Sequence, residues 1–568
     1  MLSEEIKKEY ERWSAQPLAD ADLTAELAAM DEEQIEDAFF KDLAFGTAGL
    51  RGVIGAGTNR MNVYTVAKAS QGLANYVLKH YPEGKRSVAV SRDSRHKGLL
   101  FCQVAAGVLA ASGITVHMYR EIMPTPCLSF AVRYLHCAAG IMMTASHNPA
   151  KYNGYKAYND DGCQITSEAA DEISAEIGKL DVLDDVKDLV DGSAWEKGVA
   201  DGLIREIGPE VDDAFIACVK AQSVLGPDDA IDRDVSIVYS PLNGTGRVPV
   251  LRVLSECGYT NITVVKEQEM PDGDFPTCPY PNPEILQAMQ LGIEYAKRVD
   301  ADLFFATDPD ADRIGMAVKD ADGEFVLITG NEAGMLMLDY ICAMRKKNGT
   351  LPANGVAVKS IVTTDMAAQI AESYGLTCAE VLTGFKYIGE TIKSLEEAGR
   401  ADDYVFGFEE SYGYLSGGYV RDKDAVDGAF LICEMFAYYK TQGISLLGKL
   451  DELYRTFGYR INSVASYEFE GASGFRKMQQ IMESFRGIRD EIAGKKIVKY
   501  LDYAEGVDGL PTADVVRYFF DGGTIIVRPS GTEPKIKIYL SVTAPERAAA
   551  EAESKDLTAK TAELIRSL

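Results

Sequence analysis

Strand-like and helix-like stretches alternate along this chain in three consecutive runs, and that alternation restricts the fold more than any other feature. Short apolar stretches at 87–91, 114–119 and 139–144 read as strands, with helices at 99–112 and 126–135 between them. Gly113 follows the first of these helices, where glycine commonly ends one. The pattern restarts with strands at 235–240, 262–265 and 302–306 and helices at 247–257 and 283–298. A third run has a helix at 332–345 and strands near 356–358 and 405–408. Alternation of this kind requires crossover connections and predicts α/β domains.

The ends differ. Ile6, Tyr10 and Trp13 share one helical face, so the N-terminal segment reads as helical. Near the C-terminus, strands at 515–520 and 524–527 crowd together ahead of a closing helix at 546–568. The expected division is 1–205, 206–322, 323–454 and 455–568. That is three consecutive similar α/β domains with mixed sheets, then a smaller C-terminal α+β domain. At roughly 150 residues per domain, the length agrees with four. No long Pro/Ser-rich linker separates the blocks, so they are expected to pack around a central cleft.

Charge narrows the partners. Lys and Arg number 58 against 86 Asp and Glu, a net charge of −28. A field of that sign repels nucleic acid and anionic membranes, so neither is an expected partner. No apolar run approaches the ~20 residues of a membrane helix, and the charged N-terminus does not read as a secretory signal. The expected location is cytoplasmic. The ten scattered cysteines form no CxxC pair, fit a reducing compartment and read as small buried apolar residues. An acidic chain that binds an anion must gather cations and N–H groups locally.

Five stretches carry candidate chemistry. In Thr144-Ala145-Ser146-His147-Asn148-Pro149, a serine follows an apolar strand on a polar turn. Its hydroxyl can accept and return a phosphoryl group. In Asp308-Pro309-Asp310-Ala311-Asp312-Arg313, carboxylates recur every second residue. On an extended segment they project to one side and offer hard oxygen donors to a divalent cation. An EF-hand also opens D-x-D-x-D, but its sixth and twelfth positions are Gly and Glu; here they are Arg313 and Lys319. In Arg528-Pro529-Ser530-Gly531-Thr532-Glu533-Pro534-Lys535, a guanidinium fork, two hydroxyls and N–H groups around a glycine suit a phosphate. Gly407-Phe408-Glu409-Glu410-Ser411-Tyr412-Gly413 offers a carboxylate and a hydroxyl to sugar hydroxyls, and Phe45-Gly46-Thr47-Ala48-Gly49-Leu50-Arg51-Gly52 is a glycine-rich loop with one Arg. No P-loop and no dinucleotide fingerprint occurs. His80, His96, His117 and His136 lie outside every motif and read as structural.

In this order the five stretches resemble those of the α-D-phosphohexomutase family, from Phe45 to about Tyr539. The resemblance implies four domains around a deep cleft, each giving one loop. It implies that Ser146 is a phosphoserine and that Asp308, Asp310 and Asp312 hold Mg²⁺ with Ser146 as a further ligand. Glu409 and Ser411 match sugar-hydroxyl readers. Arg528, Ser530, Gly531 and Thr532 match a clamp for the non-reacting phosphate, with Lys535 nearby. Arg51, His147, Lys156 and Arg313 match positions around the phosphoserine. Thr383, Gly384 and Lys386 match a further sugar-facing loop, which leaves His147 and Lys386 both open as the general base. The implied activity interconverts glucose 1-phosphate and glucose 6-phosphate through a bound glucose 1,6-bisphosphate. Alternatives within the family act on mannose or pentose phosphates or make the bisphosphate itself. Outside it stand a non-catalytic sugar-phosphate-binding protein and a serine-dependent phosphatase. The expected partners are small hexose phosphates.

Overall fold

The computed structural model describes residues 2–46, 49–469, 471–529 and 535–568. One strand arrangement recurs in its first three sheets. In the first, Ser87–Arg92 lies parallel between Thr115–Met118 and Ala139–Met143, and Tyr152–Tyr158 returns antiparallel beside Ala139–Met143. In the second, Ile237–Ser240 lies between Ile262–Val264 and Leu303–Thr307, with Ile314–Lys319 returning. In the third, Val356–Ser360 lies between Thr377–Val381 and Tyr404–Glu409, with Gly413–Leu415 returning. Leu50–Val53 and Ile204–Glu206 extend the first sheet at its edges, and Phe325–Ile328 extends the second. The last parallel strand of each unit therefore ends in a hairpin, and the three hairpin loops are 144–151, 308–313 and 410–412. The serine, acidic and Gly-Phe-Glu-Glu-Ser motifs occupy the same place in a repeated unit.

The strands read as continuous apolar runs because helices cover both faces. Ala139–Met143, Leu303–Thr307 and Val356–Ser360 are buried at every residue. One expected helix differs. The segment 283–298 becomes helical only at Leu286, because Asn282 accepts the Glu284 N–H on its side chain and the Ile285 N–H on its carbonyl. That turn leaves Glu284 outside the helix and free to reach Arg313.

Packing separates two kinds of junction. A single apolar core runs through the second and third units and takes in Leu128, Phe130, Phe215 and Val219 on the helices Thr125–Tyr134 and Pro209–Lys220. Trp13, Leu23, Leu27 and Phe39 of the N-terminal helices close a second core on the first sheet. The C-terminal sheet is antiparallel, in the order Tyr459–Glu468, Lys535–Ala544, Gly523–Pro529, Val516–Phe520, Lys499–Asp502. Its core, shared with Gly471–Gly487 and Arg547–Ser567, is its own. It meets the third unit through Ile361, Val362 and Leu382 against Tyr503, Val515, Ile526 and Tyr539. All ten cysteines are unpaired, and seven are buried, as their scatter suggested. Among the described residues, no helix is long and apolar enough to cross a membrane.

Candidate active site

Ser146 lies in the first hairpin loop with φ +53, a left-handed conformation that a non-glycine residue needs support to hold. The support is a short relay. The Ser146 N–H donates to Thr144 Oγ1 at 2.7 Å, and the Thr144 hydroxyl donates to Asp93. The backbone so held aims the side chain. Ser146 Oγ donates to Asp308 Oδ2 at 2.9 Å and lies 3.1 Å from His147 Nδ1. The serine and acidic motifs, 162 residues apart in sequence, are thus in direct contact.

The acidic loop is not extended, as its alternation suggests, but a tight turn. Ala311 adopts φ +47 and donates its N–H to Asp308 O. Asp308 Oδ1 accepts the N–H groups of Asp312 (3.1 Å) and Arg313 (3.0 Å). The turn, rather than strand alternation, converges the three carboxylates, whose ligand oxygens lie within 4.8 Å of one another. All three are buried. Thr125 of the first domain buttresses them, donating its hydroxyl to Asp310 Oδ2 and its N–H to the Asp310 carbonyl.

Three buried carboxylates repel, so cations must balance them. Lys156 Nζ stands 2.7 Å from Asp310 and 3.2 Å from Asp312, and Lys423 Nζ stands 2.8 Å from Asp312. Burial pushes the Asp308 carboxyl well above the usual range, and Asp310 and Asp312 add to it. Burial acts the same way on Asp310, but the Lys156 ammonium outweighs it and holds that carboxyl low. Asp310 Oδ1 and Asp312 Oδ1 remain buried with no hydrogen-bond partner. Buried orphan acceptors are rare. Hard oxygens with this unmet capacity fit a divalent cation such as Mg²⁺.

Around the serine, Arg313 pairs with Glu284 and lies 3.8 Å from Asp312. Burial, then the charges of Arg313 and Arg51, depress the His147 imidazole well below its ordinary value, so it is neutral near pH 7. Arg51 sits on Leu50–Val53 opposite Gly154. At the third hairpin, buried Glu409 accepts the Gly384 N–H at 2.7 Å, and Gly384 has φ +124 just ahead of the helix Phe385–Glu397. Thr383 Oγ1 is buried there without a hydrogen-bond partner. Half-buried Ser411 adjoins Tyr412, whose φ is +66.

Models of the phosphoglucomutase/phosphomannomutase family match the chain in four consecutive pieces. Alpha/beta/alpha domains I, II and III match residues 42–183, 213–323 and 329–457, and the C-terminal domain matches 477–558. The phosphoglucomutase of Staphylococcus saprophyticus is 37% identical over 530 residues, covering 90% of this chain and 92% of that one. The phosphoglucomutase of Staphylococcus epidermidis is 36% identical over 523 residues, with the same coverage. The chain belongs to this family. Solved structures share the fold. A putative phosphomannomutase from Thermus thermophilus superposes with a TM-score of 0.67 at 23% identity, covering 91% of this chain and 98% of that one. The Paramecium phosphoglucomutase parafusin, in its open form, gives 0.66 at 20% identity, covering 92% and 95%.

In this member of the family, Lys386 stands apart from the serine. Its ammonium lies over the Tyr387 ring, 4.8 Å from the centroid. Burial lowers its pKa, with Glu390 opposing. Among the described residues, no hydrogen bond or ion pair joins Lys386 to Ser146, His147 or the acidic loop. Of the two candidate bases, only His147 touches Ser146. On the C-terminal domain, Arg528 pairs in register with Lys537, and Lys535 forms an ion pair with Glu468 at 2.9 Å. Ser530, Gly531 and Thr532 lie outside the described residues.

Three residues at the site escape motif reading. Thr125 and Lys423 reach the acidic turn from a helix start and a loop with no phosphate-binding pattern. Lys537 was open to detection. In Lys535-Ile536-Lys537-Ile538 the two isoleucines are fully buried, so strand alternation puts both lysines on the opposite face. Burial lowers the Lys537 ammonium, while Glu284 raises it and Arg313 lowers it. Lys537 therefore faces the Arg313 side of the cleft.

Proposed function

We propose that this chain is a phosphohexomutase that interconverts glucose 1-phosphate and glucose 6-phosphate through phosphorylated Ser146 and a bound glucose 1,6-bisphosphate. The observation that carries the reading is the buried Ser146 hydroxyl on Asp308, beside two unpartnered carboxylate oxygens. The phosphoglucomutases at 36–37% identity support glucose as the sugar.

The residues divide the work. In the first half-reaction the phosphorus–oxygen bond at Ser146 breaks and a new one forms to the free sugar hydroxyl. In the second, the other phosphate of the bisphosphate returns to Ser146. The proton of the attacking sugar hydroxyl ends on Ser146 Oγ in the first half-reaction and returns to the departing sugar oxygen in the second, and neutral His147, 3.1 Å from Oγ, is placed to take and return it. Asp308, Asp310, Asp312 and the serine oxygen would hold Mg²⁺, which would neutralise charge on the phosphoryl group. Lys156 and Lys423 keep Asp310 and Asp312 ionised, and Arg313 and Arg51 add positive field. Glu409 and Ser411 meet sugar hydroxyls, with Thr383 and Gly384 beside them. Arg528, Lys535 and Lys537 hold the non-reacting phosphate, together with Ser530, Gly531 and Thr532. Burial keeps water from the phosphoserine. Ten unpaired cysteines suit a cytoplasmic location.

A coupled assay across glucose, mannose, glucosamine and ribose 1-phosphates, with and without the matching bisphosphate, tests the reading. Glucose 1-phosphate should give the highest kcat/KM, stimulated by glucose 1,6-bisphosphate. Net release of inorganic phosphate, or no conversion of any sugar, would contradict it.

A further inference from the structure

We infer that Arg95 is the positioning residue that holds Ser146 in register with Asp308 across the boundary between the first and second domains. The inference rests on Ser146 carrying the phosphoryl group. Arg95 is 3% exposed and lies outside every motif that marks the site. Its guanidinium gathers the carbonyls of the serine loop. Nη1 donates to Pro149 O and Tyr152 O, each at 2.9 Å, and Nη2 donates to Ser146 O at 2.5 Å and to Asn148 O. Nε lies 3.3 Å from Asp93 Oδ2. Asp93 also accepts the Arg95 N–H and the Thr144 hydroxyl, and Thr144 accepts the Ser146 N–H. The carbonyl and the N–H of Ser146 are therefore both tied to the Asp93–Arg95 pair, directly or through Thr144. That connection holds the left-handed backbone which aims Oγ.

The other face of the guanidinium meets the second domain. The Phe275 ring lies under it, 5.1 Å from centroid to carbon. Phe275 has φ +47, and its neighbours close the contact. A Cβ on Gly273 would stand 2.9 Å from His96 N, and His96 Nε2 lies 2.7 Å from Asp274 Oδ1. Asp308 belongs to that same second domain. One side chain thus touches both partners whose meeting places the serine hydroxyl on the acidic turn. A planar fork with five donors can span four carbonyls and stack on a ring; an ammonium cannot do both. Arg95 reaches no reacting atom, so its effect passes through the position of Oγ.

The test uses Arg95→Lys, Phe275→Leu and the double variant. Three quantities are read: the single-turnover rate of Ser146 phosphorylation by glucose 1,6-bisphosphate, kcat and KM for glucose 1-phosphate, and melting temperature. Misplacing a reacting atom by ~1 Å costs on the order of 100-fold, so Arg95→Lys should lower kcat and the phosphorylation rate together by about 10- to 100-fold. KM should stay within about twofold, because the phosphate clamp lies on another domain. Phe275→Leu should cost about 3- to 10-fold, and the double variant should lose less than the product, since both act through one guanidinium. A folded Arg95→Lys protein with kcat within about twofold of wild type would overturn the inference, as would KM rising in step with the loss. If Arg95→Lys does not fold, Phe275→Leu alone decides, by the same split between kcat and KM. A wild-type chain that takes no phosphoryl group on Ser146 overturns the underlying reading, and the inference with it.

Discussion

Where the first two domains meet, a serine, three aspartates and a lysine are buried in mutual contact; where the third and fourth meet, the carboxylates stand partly in water. At the first junction, Ser146 bonds Asp308, Thr125 bonds Asp310, and Lys156 spans Asp310 and Asp312. At the second, Lys359 and Arg517 pair with Asp365 and Glu380, whose side chains are each 34% exposed. A shared apolar core backs the first three units, whereas the fourth keeps its own core. The difference follows from the chemistry. Phosphoryl transfer needs fixed geometry and excluded water. The proposed phosphate clamp must admit and release a sugar phosphate, which suits a domain that keeps its own core and joins the third unit through one apolar cluster flanked by ion pairs.

Substitutions at the two ends should separate these roles. Asp310→Ala removes an acceptor from the acidic turn and leaves Lys156 buried with less compensation. Loss of one preorganised electrostatic contact at a transferring group costs on the order of 100- to 1,000-fold in kcat, and that is the expected loss in excess Mg²⁺. Melting temperature should fall as well, because the turn lies at a buried junction. A loss confined to KM would blur the contrast.

Arg528→Ala comes next. A charged hydrogen-bonded pair with phosphate is worth about 1.5–3 kcal/mol, so kcat/KM should fall roughly 10- to 150-fold. Arg528→Lys should recover part, since it keeps the charge and loses the fork. Ser146 should still take a phosphoryl group from the bisphosphate, more slowly. Unchanged kinetics in Arg528→Ala would move the clamp elsewhere.

The smallest effect concerns Glu410, the first residue of the third hairpin loop. Burial first, then the Glu409 charge, push its carboxyl up to about 7. A carboxyl raised on folding favours the native state at low pH, and that contribution fades as pH rises from the ordinary glutamate range through about 7. Glu410→Gln should therefore lose less melting temperature than wild type between pH 5 and pH 8, by about a few degrees at most. Identical pH dependence in the two proteins would remove Glu410 from the account.

Much of the site is legible in the chain itself. Ser146 and the three aspartates, which the structure brings together, each lie in a contiguous stretch whose residue types point to one chemistry. Lys423 and Thr125 do not, because each reaches Asp312 or Asp310 only once separate domains have packed. Arg95 was hidden for another reason: its hydrogen-bond partners are backbone carbonyls that any sequence provides. The acidic stretch misleads on geometry. Alternation assumes extended backbone, and a left-handed Ala311 breaks that assumption. For the fold, the α/β alternation is plain, but the common hairpin is not. Its returning strand, Tyr152–Tyr158, carries Asn153, Gly154 and Lys156 and resembles a loop until its burial is seen.

The most direct test of the whole account is where the phosphoryl group resides. Wild-type protein incubated with glucose 1,6-bisphosphate and Mg²⁺ should gain one phosphoryl group by intact mass, and peptide mapping should place it on Ser146. Glucose 1-phosphate should then remove it as glucose bisphosphate. Ser146→Ala should gain none and should retain no measurable mutase activity. Full labelling of Ser146→Ala, or mutase activity in a chain that never carries the group, would contradict the account.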